Sequence, residues 1–227
     1  MPSTLEKARK NPESNKARIL SAARKLFGEY GFQGTTTRMI AKKVGIDIST
    51  LYYHWGEKAD LYEAVITDLN EGIEKQFAVI ERRSKGKSLA GRLDIAIEVM
   101  CDYLHASPEI SNLLLLGYFS NSQTEVSLDE KVAGHIANIA IAMQLADDKE
   151  HVSPRAKARI MILWNAVLNF ISGESFFRPI LEVERSEYLD VIKETLKDLL
   201  IPAFTGSTCT SDAAIPESDG HDSSAAP

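Results

Sequence analysis

The 227-residue sequence predicts an all-α fold. Three observations carry that expectation. Apolar residues recur at the 3.6-residue helical spacing from Ile19 onward. No stretch alternates apolar and polar residues as a half-buried strand would. Gly31, Gly45, Gly56 and Pro108 punctuate the periodic stretches at points where a helix must stop or turn. The architecture expected is an N-terminal three-helix unit containing a helix-turn-helix, followed by a larger helical body.

Residues 1–13 are polar and read as a flexible arm. Lys7, Arg9 and Lys10 are expected there as a solvated basic tail. From Lys16 to Tyr30 the apolar positions Ile19, Leu20, Ala23, Leu26, Phe27 and Tyr30 mark the first helix, stopped by Gly31. Thr36 is an N-cap candidate for a short helix to Val44, which Gly45 breaks. A third helix spans 48–54. After Gly56, long helices are expected over 57–82, 88–106, 108–121, 127–147, 154–177 and 186–201. Pro108 and the pair Ser153-Pro154 mark two of the boundaries. Residues 205–227 hold almost nothing to bury and read as a disordered tail. The units are thus 1–13, 14–60, 61–204 and 205–227.

Composition narrows the function. No apolar run approaches the roughly 20 residues of a membrane span, and the N-terminus has no apolar segment of the secretory kind. A soluble cytoplasmic protein is expected. Cys101 and Cys209 lack metal-ligand spacing, and Cys101 reads as a small core residue. His105, His135 and His151 likewise show no ligand spacing, so neither a metal nor a cofactor is expected. The net charge of −6 is unevenly spread. Residues 1–60 carry 11 Lys and Arg against 6 Asp and Glu, while the remainder carries 15 against 26. A basic quarter on an acidic body suits a DNA-contacting module joined to a domain with another task.

The most informative segment is TTRMIAKKVGIDISTLYYH, residues 36–54. Two short helices crossing around a tight turn need a small residue at the contact, which Ala41 supplies. They need a residue that tolerates positive φ at the turn, and Gly45 stands four positions later. Ile40, Val44, Ile46 and Leu51 fall where apolar clamps are required, and Tyr52 is expected to close the core. The helix 48–54 should then enter the major groove. Ser49 and Thr50 can bond bases or phosphates, and Tyr53 and His54 can reach the backbone. Thr36, with Thr37 behind it, opens a helix whose N–H groups suit a phosphate. Arg38 can reach a phosphate or a guanine edge.

The series Ile19, Ala22, Leu26-Phe27, Gly31-Phe32, Thr35-Thr36, Ile40-Ala41, Gly45-Ile46, Thr50-Leu51-Tyr52, Trp55 and Lys58 resembles the TetR family of bacterial regulators in order and spacing. The resemblance covers about residues 14–65 closely. Trp55 stands where phenylalanine is usual, and Ser49 where glycine is frequent. The resemblance implies a phosphate-binding role for Lys58. It implies a dimer built from the last two helices, and hence a palindromic operator and, most often, repression.

The body offers its own support for dimerisation. RIMILWNAVLNFI, residues 159–171, is apolar at ten of thirteen positions, so it must be covered on every side. Leu189, Ile192, Leu196 and Leu199 form an apolar seam in the last helix. These four, with Trp164 and Leu168, are the dimer candidates. An effector pocket for an apolar or amphipathic small molecule is expected among helices 88–147, with Met100, Tyr103, Leu104, Leu115, Tyr118, Phe119 and Ile139 as candidates. The rival readings are a nonspecific architectural DNA-binding protein, which the acidic body disfavours, and a helical enzyme or carrier. No nucleophile elbow, phosphate loop, paired zinc ligands or dinucleotide fingerprint is present.

Overall fold

Ser3 caps a helix that the polar composition of residues 1–13 hides. The computed structural model describes residues 3–119 and 128–206, and among them all regular structure is α-helical. Helix α1, Thr4–Lys10, opens with a capping box between Ser3 and Glu6. It buries Leu5 and Ala8, two apolar residues one turn apart, against the main core. Arg9 pairs with Asp68, at 2.7 Å, and with Glu71, both on the fifth helix. The expected flexible arm is therefore a docked helix. Two small apolar contacts and one forked guanidinium suffice to hold it.

Helix α2, Asn15–Gly34, carries Ile19, Ala23, Leu26 and Phe27 inward, with non-helical geometry at Gly31. Helices α3, Thr37–Val44, and α4, Ile48–Trp55, follow, and then the long α5, Lys58–Ser84. The body continues with α6, Leu89–Ala106, α7, Pro108–Phe119, and α8, Leu128–Ala142. It closes with α9, Pro154–Ser172, α10, Glu174–Leu181, and α11, Arg185–Thr205. The helix expected over 154–177 is two helices bent by 86°. Gly173 ends the first by donating its N–H to the Asn169 carbonyl at 2.8 Å. The last helix outlasts its expected end, because Phe204 finds a buried site. The expected tail is thus helical at Thr205, and residues 207–227 lie outside the described residues.

One large core joins α1 to α7 with α9 and α11, and it runs without a break across residue 60. A smaller one, around Leu93, Ala140, Ile160 and Phe204, ties α8 to α6, α9 and α11. The N-terminal unit meets the body most closely at Gly28. A Cβ there would lie 2.9 Å from the Glu109 carbonyl oxygen, so α2 and the start of α7 touch backbone to backbone. Arg24 reinforces the contact, with its Nε 2.9 Å from Glu109 and its Nη1 3.6 Å from Asp68. At the opposite side, Lys193 of α11 pairs with Glu98 at 2.8 Å and with Asp102, while Lys197 pairs with Asp94 at 2.9 Å and with Glu98. Burial alone would lower the Lys193 pKa, but Asp102 and Glu98 outweigh it and hold the ammonium above the ordinary lysine value. Beside them Cys101 is free and buried, and burial pushes its thiol up to about 12, which makes it an inert core residue.

Candidate nucleic-acid interface

Helix α3 is cut from the chain by its two caps. The Thr36 hydroxyl accepts from the Met39 N–H at 3.2 Å. Gly45 sits at φ 75°, ψ 41°, the left-handed conformation that ends a helix at little cost only for glycine. Its N–H reaches the Ala41 carbonyl at 2.9 Å, and the Ile46 N–H reaches the same oxygen at 3.1 Å. The inward faces of the pair are Ile40, Ala41 and Val44 on α3 and Leu51 and Trp55 on α4, all buried in the main core.

Two long-range hydrogen bonds then fix the pair to the first turns of α2. Arg18 Nη2 donates to the Val44 carbonyl at 2.7 Å, and Trp55 Nε1 donates to the Lys16 carbonyl at 3.1 Å. The second bond gives Trp55 a reason to differ from phenylalanine, which has no donor. The loop before α3 is fixed as well. The buried Thr35 hydroxyl donates to the Leu26 carbonyl at 3.0 Å, with the Gly31 carbonyl 2.8 Å away. Lys58 Nζ donates to the carbonyls of Phe32, at 2.9 Å, and Thr35, at 3.1 Å, and lies 4.1 Å from the Phe32 ring centroid.

What remains outward is a polar and aromatic face. Thr36, Arg38, Lys42, Lys43, Ser49 and Tyr53 are exposed, Tyr53 at 85%. Thr37, Thr50 and His54 are half-buried at its edge, with the Tyr53 and His54 rings 5.1 Å apart. The first-turn amides of α3, at Thr37 and Arg38, have no carbonyl four residues back to bond. With the partial positive charge of the helix start they suit an anion. Tyr52 is a correction to the sequence reading. It is 41% exposed, and its hydroxyl lies 3.5 Å from that of Thr37. Leu51 and Trp55, four apart, define the inward face of α4, and the next residue along points away from it. That spacing was the available signal for placing Tyr52 on the outer face.

Residues 19–65 match the family described as bacterial regulatory proteins, tetR family. That span begins at the first buried residue of α2 and ends inside α5, so it contains the whole helix-turn-helix.

Over this span the chain is similar to the TetR family.

Two curated relatives match part of this chain. The uncharacterized HTH-type transcriptional regulator YezE of Bacillus subtilis is 37% identical over 73 residues, 32% of this chain and 37% of its own length. An HTH-type transcriptional regulator of Staphylococcus aureus strain USA300 is 41% identical over 63 residues, 27% of this chain and 34% of its own. The chain thus spans about a third of the length of these curated relatives. Likeness of fold extends further. A TetR-like transcriptional regulator from Rhodococcus sp. RHA1 superposes with a TM-score of 0.63 at 18% identity, covering 84% of this chain and 95% of that one.

The body distributes its expected site residues differently from the sequence reading. Met100 and Leu104 are buried in the main core, and Leu115 is half-buried against it. Ile139 packs instead on the smaller core. Tyr103 is half-buried against α5, where a Cβ on Gly72 would come within 2.2 Å of its hydroxyl, and burial raises its pKa. The partly exposed Tyr118 accepts a hydrogen bond from Trp164 Nε1 at 3.1 Å. The side chain of Phe119 lies outside the described residues. The expected dimer seam is mostly covered within one chain. Leu168, Ile192 and Leu196 are buried, Trp164 and Leu189 are half-buried, and only Leu199, at 66%, is open. The stripe packs chiefly on α6, because an apolar periodicity states that a face is covered without stating by which helix. Among the described residues, no cluster of three or more His, Cys, Asp or Glu is placed to hold a metal ion, and no single helix is long and apolar enough to cross a membrane.

Proposed function

We propose that this chain is a sequence-specific DNA-binding transcriptional regulator that acts as a dimer on a palindromic operator, most simply as a repressor. The observation that carries the reading is the outward face of α3 and α4. Its exposed hydroxyls, its guanidinium and its aromatic rings stand on two helices whose inner faces and ends are fixed by Ala41, Gly45, Arg18 and Trp55. Helix α4 lies in the major groove with Ser49 and Thr50 toward base edges. Thr36, Thr37, Tyr53 and His54 contact the backbone, joined by Tyr52. Arg38 reads a base edge. Lys58 acts chiefly as a positioning residue for the loop that carries Thr36, since two of its three N–H groups are already committed.

DNA selected from random fragments by the purified chain, followed by footprinting at moderate salt, tests this reading. Discrete protection of a repeated sequence is expected. Smeared protection without a selected motif would instead indicate an architectural protein.

The release signal in this reading is a small molecule with an apolar body and at least one hydrogen-bond acceptor. Asn70 Nδ2 on α5 and Ser111 Oγ on α7 are both buried and have no hydrogen-bond partner among the described residues. Each such group costs about 1–3 kcal/mol, which a ligand acceptor would recover. Ligand binding shifts DNA affinity only if it distinguishes the two states of the dimer. A thermal-shift screen of fatty acids, aromatic compounds and lipophilic cations, followed by operator-release assays, checks this. Hits that raise stability and leave DNA bound would remove the regulatory part of the reading. No catalytic step belongs to it.

A further inference from the structure

Helix α10 is eight residues long and buries none of them, although five of the eight are Phe, Pro, Ile or Leu. Its inner side rests on the chain through Phe177, whose ring lies 5.0 Å from that of Phe170. Glu174 fixes its start, 3.7 Å from His105 and 3.5 Å from Arg185. The opposite side holds Phe176 and Ile180, one helical turn apart and 66% and 65% exposed, with Leu181 beside them. This outward turn is built into the chain. A Cβ at Gly173 would meet the Phe177 ring at 2.5 Å and the Asn169 carbonyl oxygen at 2.9 Å, so only glycine leaves room for the corner.

We propose that Phe176 and Ile180 of α10 dock on a second copy of this chain and form part of the dimer contact. This rests on the dimer of the proposed function and deepens it. A stable interface needs about 800 Å² from each partner. The open sides of α9 and α11 offer three large exposed hydrophobics, Met161, Ile162 and Leu199, separated by Asn165, Asn169 and Asp198. That is a thin apolar centre for an interface whose core should be depleted in polar groups. The three from α10 double it. Continuity supports the same occupant: α10 is joined to α9 through Gly173 alone and to α11 through residues 182–184, so its exposed side chains extend the end of that pair. In a two-fold dimer the same patch recurs on the other subunit and can meet itself or its neighbour. The chain's own residues 207–227 are a poor alternative, since Ile215 is their one large aliphatic residue and they contain no aromatic.

Sedimentation of the full chain over a wide concentration range tests the proposal. The variants are Phe176→Glu with Ile180→Glu, Leu199→Glu alone, and Phe176→Leu with Ile180→Val. None of these side chains is buried within one chain, so far-ultraviolet dichroism and melting should match the wild type. The double glutamate variant should weaken association by at least about 100-fold, and the conservative pair should leave it near wild type. Association unchanged in the double glutamate variant but broken by Leu199→Glu would overturn the role of α10 while keeping the dimer. A monomeric wild type at tens of micromolar would overturn both. Stronger association after removal of 207–227 would mean that the tail covers α10, and would also overturn the proposal.

Discussion

Helices α3 and α4 and helices α9 to α11 are both apolar groups that turn at a glycine, Gly45 in the first and Gly173 in the second, yet their sequences disclose very different amounts. In the first pair every requirement is local. Ala41, Gly45 and Leu51 lie within eleven residues, and a turn that short allows one packing. In the second group the apolar stripe of α11 identifies a covered face, and the covering helix α6 is far away in sequence, with Lys193 and its partner Glu98 separated by 95 residues. Periodicity fixes orientation relative to some core, while partner identity comes from tertiary packing.

The largest expected effect separates the two sides of α11. Leu196 is 6% exposed and packed inside one chain. Leu196→Glu should therefore bury an unpaired carboxylate, destabilise the monomer by about 3–5 kcal/mol and leave little folded protein. Ile162→Glu, on the open side of α9, should keep the fold and weaken the dimer. Denaturant melts paired with sedimentation check this. A well-folded monomer from Leu196→Glu would return that residue to the subunit interface.

The next effect belongs to the short turn. Ala41 is 4% exposed between two helices. Ala41→Leu should cost about 1–3 kcal/mol by overpacking and abolish operator binding while α5 to α11 keep their helicity. Hydrogen exchange should localise the loss to residues 19–55. Uniform loss of protection would show that the core, continuous across residue 60, unfolds as one unit.

Electrostatics gives a smaller and pH-dependent effect on the other side of the comparison. Hydrogen bonds from Lys193 and then Lys197 hold the Glu98 carboxyl below its ordinary value of 4.5, with burial opposing them. A depressed folded pKa contributes stability above the unfolded value and loses it as pH falls through the folded one. Glu98→Gln should thus lower the melting temperature by a few degrees at neutral pH. The difference should vanish in acid, below both values. A difference that persists there would assign the loss to packing.

The same contrast explains what was legible. Thr36, Gly45 and the helix from Ile48 follow from local spacing. Helix α1 was hidden because its anchors, Leu5, Ala8 and Arg9, number three, and the partners of Arg9 are about 60 residues away. Tyr52 reads as core by its aromatic character, while its angular position beside Leu51 turns it outward. The turn-out of α10 was hidden because Gly173 inside an apolar run reads as a tolerated glycine.

The smallest expected effect concerns Lys58, a residue that the family resemblance assigns to DNA and the geometry assigns mainly to the chain itself. Its ammonium donates to Phe32 and Thr35 and lies over the Phe32 ring, so the residue holds the Thr35-Thr36 loop with two of three N–H groups. A lysine that fully neutralises one phosphate would change the slope of log affinity against log salt by about 0.9 per contact. Lys58→Ala should change it by clearly less. Affinity should fall a few-fold on all sequences alike, because the loop that carries Thr36 loosens without losing a base contact. Arg38→Ala supplies the reference, since Arg38 is exposed and is the base-reading residue of the proposed function: it should relax selection at one position of each half-site at a cost of about 1–3 kcal/mol. Salt titrations of both variants on one selected operator decide the point. A full unit of slope lost per subunit in Lys58→Ala would mean that the ammonium leaves its two carbonyls when DNA binds. The loop before α3 would then rearrange on the operator instead of being set in advance.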